Sequence, residues 1–263
     1  MEWSSWHHRR GVGLLDAATH RPMDATSRST RVRTRWIAGL FVVGSACFAA
    51  GSLPLLAMAL RGNAAGVFFA GSIFFTSAAY LQFHEAANAG PDIHGRQRTH
   101  RLARLRPRSI GWWAATVQLA GTIAFNVSTL AAIFDLSTRR EETLIWAPDA
   151  IGSVGFLVAS TLALSELCPR TLCWEPTSRE WQVSALNLAG SVAFGVSAVG
   201  ARILPTTGEP ANSMLVNVTT FAGAALFLVG AVQLPAAVSG ARRSPGFGRD
   251  RPPGSSSAPE PTQ

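Results

Sequence analysis

Charged and apolar residues are segregated along this chain. Six runs contain no Asp, Glu, Lys or Arg: Trp36–Leu60, Gly62–Phe83, Ser109–Phe134, Ala150–Ser165, Trp181–Ala201 and Pro210–Ala241. A helix needs roughly 20 apolar residues to cross a hydrocarbon core about 30 Å thick. Five runs meet that length. The fourth has 16 residues and is bounded by Asp149 and Glu166, which are expected at the two interfaces. The pattern predicts an all-α polytopic membrane protein with helices at about 36–60, 64–84, 110–134, 149–167, 181–203 and 213–235. These form a membrane domain over 36–237. The polar segments 1–35 and 238–263 are expected to be largely disordered tails, the first basic and the second rich in Pro, Gly and Ser.

Composition narrows the class. Of 263 residues, 48% are hydrophobic and 14% charged, against roughly 25% charged in an ordinary soluble domain. The mean hydropathy of +0.20 averages apolar spans with polar tails. All 23 basic residues are arginines. A soluble enzyme and a nucleic-acid-binding domain are excluded, despite a pI near 11.2. No cleavable signal peptide is expected, because the first apolar run starts only at Trp36 and is too long for one. Met23 is an alternative start to Met1.

With the N-terminus in the cytoplasm, arginines divide 19 to 4 between the two sides. The minority are Arg61, Arg139, Arg140 and Arg202. The positive-inside rule therefore predicts N-in, C-in topology. Trp36, Trp112, Trp113 and Trp181 fall at cytoplasmic entries and Trp146 at the opposite face, as an interfacial aromatic belt would.

A repeat is embedded in the spans. Each has a glycine and then Phe four residues on: Gly44/Phe48, Gly71/Phe75, Gly121/Phe125, Gly152/Phe156, Gly190/Phe194 and Gly223/Phe227. Position +7 is Gly, Ser or Ala in every case. Five of the glycines are followed by Ser or Thr. Helices three and five match further at an offset of 69, as in Pro107/Pro176, Ser109/Ser178 and Trp112/Trp181; helices two and four match at 81, including Glu85/Glu166. The unit is a two-helix hairpin of about 70–80 residues used three times. Positions 0, +4 and +7 share one helix face. The first reading of this stripe is helix–helix packing, small residues admitting a neighbouring backbone; the alternative is a pathway lining.

The basic segment, the aromatic and the two spans Gly44-Ser45-x-x-Phe48 and Gly71-Ser72-x-x-Phe75 joined by a short turn resemble the YrhK-like domain, a two-helix bacterial membrane hairpin. Over residues 33–237 the chain is similar to six-span actinobacterial membrane proteins that string such hairpins together. The resemblance implies a fold and a bacterial cytoplasmic (inner) membrane. It brings no activity and no catalytic residues.

Candidate chemistry is sparse. No ionisable residue lies mid-span, which disfavours proton-coupled pumps. Gln118, Asn126, Asn187 and Asn217 are the intramembrane polar residues. They either bond between helices, for about 1 kcal/mol each, or line a path at a pseudo-threefold centre. His84, Glu85 and Glu166 end the even helices and read as solvated ends or as partners of nearby arginines; pH sensing or ion entry is the alternative. Arg96, Arg98, Arg101, Arg104, Arg106 and Arg108 form a basic loop suited to anionic headgroups. Cys47, Cys168 and Cys173 are expected to be free thiols, since cytoplasmic cysteines stay reduced. No nucleotide-binding, metalloprotease or hydrolase motif occurs, and no cofactor or metal is expected. The expected role is a non-enzymatic structural or accessory membrane component. A channel or transporter for a small neutral or weakly polar solute is the alternative. The expected partners are anionic lipid, a membrane-protein partner or a second copy, and no nucleic acid.

Overall fold

The computed structural model describes residues 24–59, 63–88, 105–168 and 173–240. The expectations for 1–23 and 241–263, the choice between Met1 and Met23, and Arg96, Arg98, Arg101 and Arg104 lie outside them. Six long helices carry the fold: α1 (Asp24–Ser52), α2 (Ala64–Ala87), α3 (Ile110–Ala131), α4 (Ala147–Leu167), α5 (Arg179–Gly200) and α6 (Ser213–Gly240). Each contains a stretch long and apolar enough to cross a membrane.

Local chemistry explains where these helices begin and break. The expected first span, 36–60, is interrupted at Leu53, and a short helix Pro54–Ala59 follows. Pro54 has no N–H to donate and disfavours helix at the residue before it. At its other end α1 runs back to Asp24, through arginines that are good helix formers. Ser109 and Ser178 cap α3 and α5, their hydroxyls accepting from the backbone N–H of Trp112 and Trp181. The next side chain in each helix folds back on the preceding proline. Trp113 Nε1 donates to the Pro107 carbonyl at 3.0 Å, and Gln182 Nε2 to that of Pro176 at 2.6 Å. Before α4, a single turn Thr138–Glu141 leads into a π-helical turn, Glu142–Trp146. Pro148 cannot donate the helix-opening hydrogen bond there, and the widened turn accommodates its ring.

Each long helix packs on the next in sequence, and α1 also packs on α6, so the six close a ring. Helices α1, α3 and α5 begin at one end of the bundle, here the terminal face, where α2, α4 and α6 end. Within each consecutive pair, motif glycines face each other. A Cβ on Gly44 would lie 3.0 Å from the Gly71 carbonyl oxygen; the corresponding distances are 3.1 Å for Gly121 to Gly152 and 3.1 Å for Gly190 to Gly223. Only a hydrogen fits there.

That close approach turns the six phenylalanines inward. A helix side chain leans toward its own N-terminus. Because paired helices are antiparallel, each Phe leans back toward the glycine crossing from the opposite side. Phe48, Phe125 and Phe194 form one triangle with ring centroids 5.8–6.4 Å apart. Phe75, Phe156 and Phe227 form a second at 5.7–6.1 Å. Within each helix pair the rings sit 5.3–5.6 Å apart, joining the two triangles. All six are buried. Most of these contacts are edge-to-face, and aromatic pairs of that kind contribute about 0.5–1.5 kcal/mol each beyond their buried area.

Hydroxyls one and eight residues after the motif glycines join the pairs into the ring. Ser72 bonds Thr129 at 2.9 Å between α2 and α3, and Ser160 bonds Ser191 at 2.8 Å between α4 and α5. At the α6–α1 contact Ala231 takes the place that Ser160 holds, eight residues after its motif glycine. The buried Ser45 Oγ, equivalent to that of Ser191, has no partner.

Candidate functional site

The sequence-predicted polar residues do not converge at mid-membrane. Asn126 Nδ2 donates to Thr76 Oγ1 at 2.9 Å, bridging α3 and α2, while its buried Oδ1 has no partner. Asn217 is half-buried on α6. Gln118 and Asn187, each three residues before a motif glycine, lie on the other side of the phenylalanine layers. They line a cavity of about 80 Å³ toward the terminal face.

The antiparallel arrangement builds this cavity. Residues before the motif glycine in α3 and α5 and residues well after it in α2 and α4 reach the same end of the bundle. One wall is polar: Gln82 and Glu85 from α2, Gln118 from α3, Glu166 from α4, and Ser184 and Asn187 from α5. The opposite wall is apolar, with Phe41 from α1 and Phe227, Ala231 and Leu234 from α6. Phe41 occupies the position of Gln118 and Asn187 relative to its glycine, and Ala237 that of Glu85 and Glu166. The cavity is therefore acidic and amide-rich on two lobes and greasy on the third. At about 1.5 Å per helical residue, Glu85 stands roughly 15 Å beyond Phe75, near the edge of a hydrocarbon core.

Glu85 is a correction to the solvated-end reading. It is 3% exposed, and its Oε2 has no hydrogen-bond partner. The helix continues two residues past it to Ala87. Arg106 Nη1 donates to the Ala86 carbonyl at 3.3 Å, closing that end of α2. Arg106 is thus half-buried against protein rather than spread on lipid, whereas Arg108 is exposed. Glu166 and His84 are both partly buried.

Two further expectations change. Trp36 and Trp113 are 65% and 45% exposed, as belt residues would be, but Trp112 is only 5% exposed. It packs against Phe83, and its indole N–H has no partner. Cys168 and Cys173 are joined by a disulfide, with Cα atoms 5.4 Å apart, and only Cys47 is free. Cys168 ends α4, and the chain returns Cys173 beneath the Trp181 indole, whose Nε1 donates to the Cys173 carbonyl at 2.9 Å. The expectation of free thiols rests on compartment alone and ignores this proximity.

Among the described residues, no group of three or more His, Cys, Asp or Glu is placed to hold a metal ion. Comparisons with protein-family models, curated proteins and solved structures return no match. The site is therefore read from its own geometry: a one-sided, amphipathic, acidic cavity beneath an aromatic core.

Proposed function

We propose that this chain is a non-enzymatic structural or accessory component of a bacterial cytoplasmic membrane, built from three hairpins of the YrhK-like kind. The observation that carries the reading is the double triangle of phenylalanines. Six rings in mutual contact occupy the axis of the ring of helices, where a conduit would have to run. The matching glycine contacts in all three helix pairs support the threefold hairpin repeat.

The arginine distribution supports N-in, C-in topology, which places the terminal face and its basic loop against anionic cytoplasmic headgroups. The disulfide lies on that same face and argues the other way, since such bonds persist in oxidising compartments. We weigh the arginine distribution above the disulfide, because the 19 charges act on insertion itself.

The test is an uptake panel of small neutral and polar solutes in proteoliposomes. Rates equal to those of protein-free vesicles are expected, and saturable uptake of any solute would overturn the structural reading. Uptake would favour the second reading, a channel or transporter, whose support is the cavity bearing Gln118 and Asn187. That reading requires the phenylalanine triangles to part.

A further inference from the structure

We propose that the cavity beside Glu85 is a binding site for a small amphipathic organic cation, of the size and chemistry of a short alkylammonium ion. The inference goes beyond a structural role and begins from an unsatisfied group. Glu85 is buried within the bundle, lines the cavity, and has a carboxylate oxygen with no hydrogen-bond partner. A buried carboxylate in a low-dielectric setting is costly unless a cation or several donors meet it. Sequence does not force the cost here, because the equivalent position in α6 is Ala237, which is fully buried. The fold tolerates an apolar residue at that place, yet α2 and α4 both carry Glu.

The rest of the wall identifies the ligand class. Gln82, Gln118 and Asn187 present carboxamides and Ser184 a hydroxyl, so acceptor oxygens surround the acidic lobe. They suit the three N–H donors of an ammonium group. Facing them, Phe41, Phe227 and Leu234 offer nothing to a bare metal ion. They do suit a hydrocarbon stem. A cavity of about 80 Å³ has room for several water molecules, hence for an ammonium head with a stem of roughly four carbons. Ligand sites commonly have this form, an apolar pocket with a few convergent polar groups.

The test uses the full-length protein in detergent or nanodiscs, with n-butylammonium chloride as probe. Sodium and calcium chloride serve at matched ionic strength, and the readout is thermal unfolding followed by tryptophan fluorescence. Butylammonium is expected to raise the melting temperature saturably, as a ligand of the native state must. Sodium and calcium are expected to give no saturable shift. Glu85→Gln is expected to weaken the butylammonium response at least tenfold. The same variant should melt above the wild type without ligand, because it removes a buried carboxylate with an unbonded oxygen. A Glu85 with a merely structural role would give the opposite sign. Should Glu85→Gln fail to fold, Ala163→Leu, which fills the cavity and keeps the carboxylate, is expected to abolish the response. Four results overturn the proposal: no saturable butylammonium shift, a response unchanged by both variants, an equal shift with sodium or calcium, or a folded Glu85→Gln variant that melts below the wild type. The readout involves no flux, so the structural reading stands or falls separately in the uptake panel.

Discussion

Replacing Gly190 by alanine isolates the contact on which the helix pairs depend. An added Cβ would lie 2.8 and 2.9 Å from two carbons of the Phe227 ring and 3.1 Å from the Gly223 carbonyl oxygen. Ordinary contact begins near 3.4 Å, so the shortfalls are 0.6 Å (3.4 less 2.8) to the ring and 0.3 Å (3.4 less 3.1) to backbone. Neither neighbour can retreat freely. Phe227 is held by Phe75, Phe156 and Phe194, and the carbonyl belongs to the α6 backbone. Overpacking of this kind costs about 1–3 kcal/mol. Alanine also gains up to about 1 kcal/mol over glycine in helix propensity. Gly195, five residues along the same helix, supplies the control. Its added Cβ meets nothing within 4 Å, so Gly195→Ala keeps the propensity gain without the clash. The two variants should therefore differ by about 1–3 kcal/mol in stability, with Gly190→Ala the weaker. Unfolding in mixed micelles with rising SDS, followed by circular dichroism, measures that difference. A double-mutant cycle with Phe227→Ala should recover part of the loss, since only the ring clash is relieved. Equal stability of Gly190→Ala and Gly195→Ala would refute the argument that glycine is needed for close backbone approach.

Three other expectations are tested by different means. Ala231→Ser should give the buried Ser45 hydroxyl a partner across α6 and α1, as Ser160 does for Ser191, raising SDS resistance by about 0.6 kcal/mol; an unchanged or lower midpoint would contradict the equivalence. In intact cells, a single cysteine introduced as Ser137→Cys, in a chain whose Cys47, Cys168 and Cys173 are replaced by serine, should react with a membrane-impermeant maleimide. Labelling only after the membrane is permeabilised would reverse the proposed orientation. Truncating Phe75, Phe156 and Phe227 together to alanine should raise water permeability of proteoliposomes, read by stopped-flow light scattering. Each single truncation should cost about 3–5 kcal/mol or somewhat less, as lipid replaces water in the unfolded reference; a triple variant that folds and stays as tight as wild type would show that this triangle is not part of the seal.

Some of this architecture is legible in the chain and some is not, for identifiable reasons. Span positions follow from uncharged runs because burial of charge in lipid is costly irrespective of neighbours. The glycine–phenylalanine stripe is legible because 0, +4 and +7 fix one helix face. Whether those faces enclose a path or a plug depends on ring placement, which no spacing encodes. Trp112 and Trp113 are adjacent and chemically identical, and only the helix phase sends one inward. Glu85 reads as a solvated end because it sits near a charge boundary; Arg106 closing over α2 is a tertiary event twenty residues away. One signal for the cavity was present. In antiparallel neighbours, positions before the glycine on odd helices and after it on even helices meet at one end. Gln118 and Asn187 at −3 and Glu85 and Glu166 at +14 therefore converge, while Phe41 and Ala237 mark the apolar lobe.

The central structural claim is that α1 and α6 of one chain close the ring around the aromatic core. Cysteines at Ser45 and Ala231, in a chain whose Cys47, Cys168 and Cys173 are replaced by serine, test it directly. Oxidation in native membranes is predicted to give an intramolecular crosslink, seen as a single-chain band in which fragments cut between α3 and α4 stay joined. Crosslinking solely between chains would mean that α1 packs on the α6 of another copy, and the closed single-chain ring would be wrong.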